Sequence, residues 1–318
     1  MNKLLFIPII IGGSAIIVGS IIFGLAISSK GDNTLEDKTT ELNGAVTNFD
    51  IDLSVANLEF KVGDTAKVVC HENEKEHHEV TLKDGTLKIK FVDDKRWYEN
   101  IFNWSLDQFK VTVYVPAGEY GNLKIKASTG DVKVPHDFSF SDLKAEVSTG
   151  DYDIRSNVTN KIDVQSSTGM IHISDLSAKE INIKSSTGRI NVLTVDVAEK
   201  ITINTSTGDQ KVTDTKCQNL ETKASTGFIV LTNTIVEKHI EIQRSTGDVQ
   251  FYGSDAESLN IKTDTGDVRG NLLTNKLFKA HSDTGRVKVP EYHIGDEVTG
   301  ECVIDTDTGN IEMTVGSN

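Results

Sequence analysis

Aromatic residues are scarce in this 318-residue chain, at 6%. So few large rings exclude a thick aromatic core and suit a thin interior filled by Val and Ile. Cysteine is scarcer still. Cys70, Cys217 and Cys302 are odd in number and far apart, which excludes a disulfide framework and leaves small apolar core residues as their role. Positive charge is in deficit, with 33 Lys and Arg against 47 Asp and Glu and a net charge of −14. That balance excludes nucleic acid and anionic lipid as electrostatic partners, and also simple charge attraction to polyanionic wall polymers. No Cys lies between positions 25 and 35, so a lipoprotein acylation site is absent, and no Leu-Pro-x-Thr-Gly sorting signal occurs.

A long uncharged run occurs at residues 4–27. As a helix it spans about 36 Å, enough to cross a hydrocarbon core of about 30 Å with some tilt. Lys3 precedes it, and Lys30, Asp32, Glu36 and Asp37 follow. This slight bias favours a cytoplasmic N-terminus of residues 1–3 and an ectodomain outside. A cleaved signal peptide is the alternative, but its apolar stretch is shorter, about 7–15 residues, and ends in a small-x-small site. An uncleaved, single-pass transmembrane helix is therefore expected, with residues 28–48 as a polar tether.

From residue 122 onward the chain repeats. Thr-Gly recurs at Gly130, Gly150, Gly169, Gly188, Gly208, Gly227, Gly247, Gly266, Gly285 and Gly309, with gaps of 19 or 20 residues until a last gap of 24. Seven residues before each Gly stands an apolar residue, from Leu123 to Cys302. Five before, the row runs from Ile125 to Ile304 and is broken by Thr222. Two after, it runs from Val132 to Ile311 and is broken by Gln210. Such period-2 alternation on both sides of a turn predicts two short strands with one face buried. The parity changes at Thr-Gly, so the chain turns a corner there, and Gly supplies the backbone freedom. Ser precedes the Thr in seven units and Asp in the last three, both suited to local turn hydrogen bonds. A weaker apolar signal at Phe138, Leu176, Val195, Val236 and Leu273 marks a third side.

A period near 20 with this pattern predicts an all-β fold, a single-stranded parallel β-solenoid (β-helix) of ten coils over residues 122–318. Leucine-rich repeats share the period but need a leucine–asparagine pattern that is missing, and propeller blades need about 40 residues. Residues 49–121 also read as β, but irregularly, with a turn at Lys83-Asp84-Gly85-Thr86 and Pro116 closing the last strand. Open solenoid ends are aggregation hazards that atypical end units cover, so this region is expected to be an irregular β N-terminal cap. At the other end, the insertion from Pro290 to Gly300 is expected to fold over the last coil, unless a partner chain covers it.

The units Ala127-Ser128-Thr129-Gly130-Asp131-Val132 and Arg244-Ser245-Thr246-Gly247-Asp248-Val249, with the cap ending in Tyr114-Val115-Pro116, resemble the bacterial putative-adhesin β-strand-repeat family, a domain of unknown function. Its members include membrane-anchored proteins of the LiaG type, encoded near cell-envelope stress systems in low-GC Gram-positive bacteria. The resemblance covers the chain from about Thr47 onward and implies no catalytic residues or cofactor.

Candidate chemistry is sparse. Asp-Thr-Gly at Asp264, Asp283 and Asp307 matches the aspartic-protease tripeptide, but each copy sits in register with Ser-Thr-Gly and reads as drift within a turn. Stacked carboxylates near Asp264, Asp267 and Asp283 are a candidate Ca²⁺ site. His71, His77 and His78 among Glu72, Glu74, Glu76 and Glu79 are a candidate zinc cluster, against the alternative of a solvated hairpin tip. Residues 97–104 hold both tryptophans, Trp97 and Trp104, and suit packing on the cap, a glycan or protein surface, or a membrane interface. The ten Thr precede Gly in turns, which excludes a flat ice-binding face. The outward rows mix signs, without the clustered Asp, Arg or Lys that a polysaccharide lyase needs.

The expectation is a non-enzymatic extracytoplasmic β-solenoid at the cell membrane of a Gram-positive bacterium. It has no small-molecule substrate, no cofactor and no nucleic-acid partner. Its partner is an envelope protein or wall glycan. The alternative is an accessory or sensory subunit of an envelope-stress system.

Overall fold

The computed structural model describes residues 34–94 and 109–316. The anchor expected at residues 4–27 and the tryptophan segment at 97–104 lie outside the described residues. Within them the chain is all β, with 25 strands joined in one sheet that winds into a solenoid. No helix among the described residues is long and apolar enough to cross a membrane.

Each coil has three sides. A long strand runs into the Ser-Thr-Gly corner, a short strand follows, and a second tight corner leads to the next side. Successive coils pair in parallel and in register: Leu123 sits on Leu143, Leu143 on Ile162, and Ile162 on Ile181. The apolar rows legible in the sequence are therefore stacked rows of one core, and Ile125, Val164, Ile183 and Ile203 are fully buried. The long strands kink where the register slips, between Phe140 and Asp142 and again between Ala178 and Glu180. The third side buries Phe138, Leu176, Val195 and Val236, whereas Leu273 is exposed.

The corner glycine has two reasons to be glycine. Its φ is positive, +142° at Gly208, where an L side chain is disfavoured. More restrictive is the coil spacing: a Cβ on Gly208 would fall far inside contact distance of the Gly188 carbonyl oxygen, and the same clash recurs from Gly150 to Gly309. In five consecutive coils the second corner lies six residues after the glycine and is also left-handed, at Asp175, Thr194, Asp214, Asn233 and Gly253. Asp, Asn and Gly tolerate that region, whereas a β-branched Thr at φ 53° stores strain.

The N-terminal cap is more regular than the sequence pattern predicts. Its strands are β1 (Glu36–Glu41), β2 (Asn48–Val55), β3 (Asn57–Val62), β4 (Lys67–Glu72), β5 (Glu76–Lys83), β6 (Thr86–Asp93) and β7 (Lys110–Val115). Strands β2 and β3 form a true coil with Ala56 at the corner position, stacked in parallel on β8 (Gly118–Thr129) and β9 (Val132–Val134). Phe49, Ile51, Leu58 and Phe60 take the four core positions of the repeat there, so this coil hid behind its missing Thr-Gly. On its other side β6 and β7 add one more parallel layer. Antiparallel β5 and β4 then pair with that layer. The highly charged β1, placed within the tether by sequence, pairs with β4, and such charge on an edge strand discourages pairing with other chains. Phe49, Phe60, Tyr120, Phe138 and Phe140 plug the interior here, with ring centroids 5.2 to 6.2 Å apart in the edge-on pairs of Phe49 and Phe60.

The C-terminal end departs from sequential stacking. Strand Glu301–Thr308 pairs with Ser258–Thr265 on one side and with Leu277–Thr284 on the other. The last coil of the sequence is thus inserted beneath the penultimate one, and the spatial order of corners is Gly266, Gly309, Gly285. The insertion at residues 290–300, expected to cover the end, instead returns the chain into the stack. A buried ion pair fixes the return: Lys276 Nζ lies 2.9 Å from Asp255 and donates to Thr274 and Thr299 at 2.8 and 2.7 Å. The Gly285 coil is consequently the open end of the rod.

Three substitutions test the two corners. Gly208→Ala is expected to lower the unfolding free energy by roughly 3 kcal/mol or more, while Gly118→Ala, with no atom within 4 Å of its added methyl, loses about 1 kcal/mol. Thr194→Asn, on an exposed corner, is expected to gain about 1 kcal/mol by relieving the left-handed threonine. Urea denaturation of the three variants reads both.

Candidate functional site

Three features stand out from the packed rows: a groove along one side, the open end, and polar groups sealed inside. The groove runs over the residues that lead into the Ser-Thr-Gly corner. It holds about 720 Å³ and crosses six coils. One rim is a serine row, Ser54, Ser128, Ser148, Ser167, Ser186 and Ser206. The opposite rim is of mixed sign, with Asp52, Lys126, Glu146 and Lys184. A second hollow of about 340 Å³ continues the line past Ser225 and Ser245, flanked by Lys223 and Lys262.

At the open end, the core positions of the Gly285 coil are only half covered. Phe278, Ala280 and Val289 are partly buried and Val287 is exposed, while Leu277, on the outward row beside them, is exposed as well. Every other coil buries its apolar residues at those positions. The adjoining loop adds exposed Tyr292, Ile294 and Val298.

The aspartates after the corner glycines are committed to structure. The side chain of Asp131 accepts from the Asp151 N–H at 2.9 Å, Asp151 from Met170 at 2.7 Å, and Asp267 from Asn310 at 2.8 Å. Each satisfies the backbone donor that the corner takes out of the ladder. The expected cation site near Asp264, Asp267 and Asp283 does not assemble as drawn. The inserted coil places Asp307 between Asp264 and Asp283. Arg269 neutralises Asp267 at 3.1 Å, and Asp283 faces His281 at 2.9 Å.

The three histidines of the candidate zinc cluster also separate. His71 is half-buried on the outer face of β4 and meets Asp37 at 2.8 Å, and His77 lies 3.9 Å from Asp94. Only His78 turns inward, where it meets Cys70 and Glu72 in a buried group. Sequence reasoning treated Cys70 and the histidines separately. The signal that joins them is the alternation Val68-Cys70-Glu72, which puts all three on the inner face of β4. Burial, reinforced by the Glu72 charge, pushes the Cys70 thiol up to about 12, so the metal-free thiol is no nucleophile.

The family described as Toastrack DUF4097 matches residues 46–227 and again residues 193–318. The chain belongs to this family. Similar solved structures include a "putative adhesin" from Bacteroides fragilis, 12% identical, covering 90% of this chain and 98% of its own, with a TM-score of 0.41. Another is a "putative lipid binding protein" from Parabacteroides distasonis, 13% identical, with coverage of 89% and 98% and a TM-score of 0.40. A "putative adhesin" from the same species is 16% identical, with coverage of 89% and 98% and a TM-score of 0.39. No curated protein matches the chain.

The two breaks in the apolar rows of this Toastrack solenoid have different partners. Thr222 is buried with its hydroxyl unpartnered. Gln210 is fully buried and bonds Thr205 Oγ1 at 3.0 Å and the Lys223 carbonyl at 3.2 Å. Its Oε1 accepts from Arg244 at 2.8 Å, two coils further on. Ala224 occupies the intervening coil at the arginine's position, and its small side chain leaves room for that reach. Arg244 also donates to the Gly227 carbonyl at 2.9 Å and is 3% exposed. Burial pushes its guanidinium down to about 10. A charge without a carboxylate partner is costly in such a place unless its hydrogen bonds are kept. Gln210→Val is therefore expected to destabilise by about 2 kcal/mol, and Gln210→Val with Arg244→Met to recover most of that loss. A double-mutant cycle by urea denaturation measures it.

Proposed function

We propose that this chain is a non-enzymatic, adhesin-like Toastrack rod of the cell envelope that binds an envelope protein through its open end. The observation that carries the reading is the Gly285 coil. It exposes the free outer edge of a parallel strand, Leu277–Thr284, whose inner edge pairs with Glu301–Thr308, beside the half-covered core residue Phe278 and the exposed Val287. A strand edge with adjacent apolar pockets is suited to strand addition by a partner, with backbone hydrogen bonds giving affinity and the pockets giving selectivity. The opposite end supports the same direction of contact, since its edge strand β1 carries the charges that discourage pairing.

The rod is proposed to stand outside the membrane, held by the uncharged run at residues 4–27. An accessory or sensory role in an envelope-stress system is compatible with the same surface, the partner then being a membrane protein of that system. The groove favours a second ligand. Its length and hydroxyl-lined rim suit an extended polar polymer such as a wall glycan, held by many weak hydrogen bonds.

A photoreactive amino acid placed at Leu277 is expected to capture an envelope protein in intact cells, while the same group at mid-rod Lys179 does not. Leu277→Lys is expected to weaken the captured complex at least about tenfold. Equal capture at both positions counts against the open end. Loss of glycan binding by Ser186→Trp, with protein capture intact, assigns the groove to the glycan instead.

A further inference from the structure

We propose that Cys70, Glu72 and His78 form a buried site for a thiophilic divalent transition metal, zinc foremost. One donor atom from each residue lies within 4.8 Å of the other two. All three are almost wholly buried, at 3%, 2% and 6% exposed. Cys70 and Glu72 point the same way from β4, two residues apart, and His78 comes from β5, the next strand along the chain. The turn between the strands is set by Asn73, whose side-chain oxygen accepts from the Lys75 and Glu76 N–H groups at 2.9 and 2.7 Å.

The imidazole makes the case for a ligand. Its Nδ1 lies 2.9 Å from Glu72 Oε2, and the same oxygen accepts from the His78 backbone N–H at 2.7 Å. Its Nε2 is buried with no partner, so the ring carries at this depth a polar atom whose hydrogen-bonding capacity the protein leaves unmet. The edge of Phe91, 5.5 Å away between ring centroids, holds the ring in place.

Charge favours the same ion class. A thiolate and a carboxylate together balance a divalent cation, so the loaded site buries no net charge among its ligands. Sulfur with imidazole selects zinc or cobalt over calcium or magnesium, which need sets of oxygen ligands. Lys38, 3.6 Å from Glu72 Oε1, marks the outer boundary of the site. A metal here would tie β4 to β5 and stabilise the cap by binding the folded state alone. The inference is independent of the partner proposed above.

Cobalt titration of the purified full chain, stripped with chelator, tests the site. One equivalent of Co²⁺ is expected to give a thiolate-to-cobalt charge-transfer band that Zn²⁺ bleaches. The band is expected to persist in Cys217→Ser/Cys302→Ser, where Cys70 is the only thiol, and to vanish in Cys70→Ala. His78→Gln is expected to weaken binding by at least the ~10–100-fold that even an outer partner contributes. If Cys70→Ala fails to fold, the band in the Cys217→Ser/Cys302→Ser chain decides, together with a zinc-dependent rise in Tm that His78→Gln lacks. No band in the wild-type chain, or a band surviving in folded Cys70→Ala, overturns the proposal.

Discussion

Parallel hydrogen bonding between one coil and the next sets a fixed, short distance along the rod, and the rest of the structure conforms to it. At each corner the backbone of one coil faces the carbonyl of the coil before. Only a residue without Cβ fits between them, as the clash at Gly208 makes explicit. The same spacing forces like residues to stack. Leu, Ile and Val rows then bury one another without a second layer of structure. It also explains why aspartate suits the position after the glycine: its side chain reaches one coil onward, to the N–H that the corner leaves free.

A repeating stack has no natural end, and this chain closes its two ends by different means. At the N-terminal side a plug of five aromatic rings fills the interior. Antiparallel strands then halt the parallel ladder, and a charged edge strand finishes it. At the C-terminal side the chain overshoots by one coil and returns between its predecessors, held by the buried Lys276–Asp255 pair. That arrangement protects the final sequence repeat and leaves the preceding one exposed. The asymmetry is the structural ground for assigning contact to one end.

Of the polar groups buried in the rod, some keep lone hydroxyls, such as Thr222 and Thr263, and others meet partners across coils. Gln210 breaks an apolar row, and the break is tolerated because it meets Arg244, two coils further on, across the small Ala224. Cys70, Glu72 and His78 lie where parallel coils give way to antiparallel strands, and so outside the repeat that dictates residue type elsewhere. A site free of the repeat's constraint can carry chemistry without disrupting the stack.

Local pattern was enough to determine the solenoid, its period, its corner glycines and the rows of its core, because each coil meets only its neighbours and a 20-residue unit states its own geometry. Ala56 concealed one coil, since the pattern was keyed to Thr-Gly while the core residues Phe49, Ile51, Leu58 and Phe60 kept their places. What the tertiary structure alone decided is the order in which coils stack at the C-terminal end and the company that side chains keep across distant strands. The insertion of Glu301–Thr308 and the meeting of Cys70 with His78 depend on where the chain turns back in space. Residue periodicity reports which face is buried and is silent on which neighbour buries it.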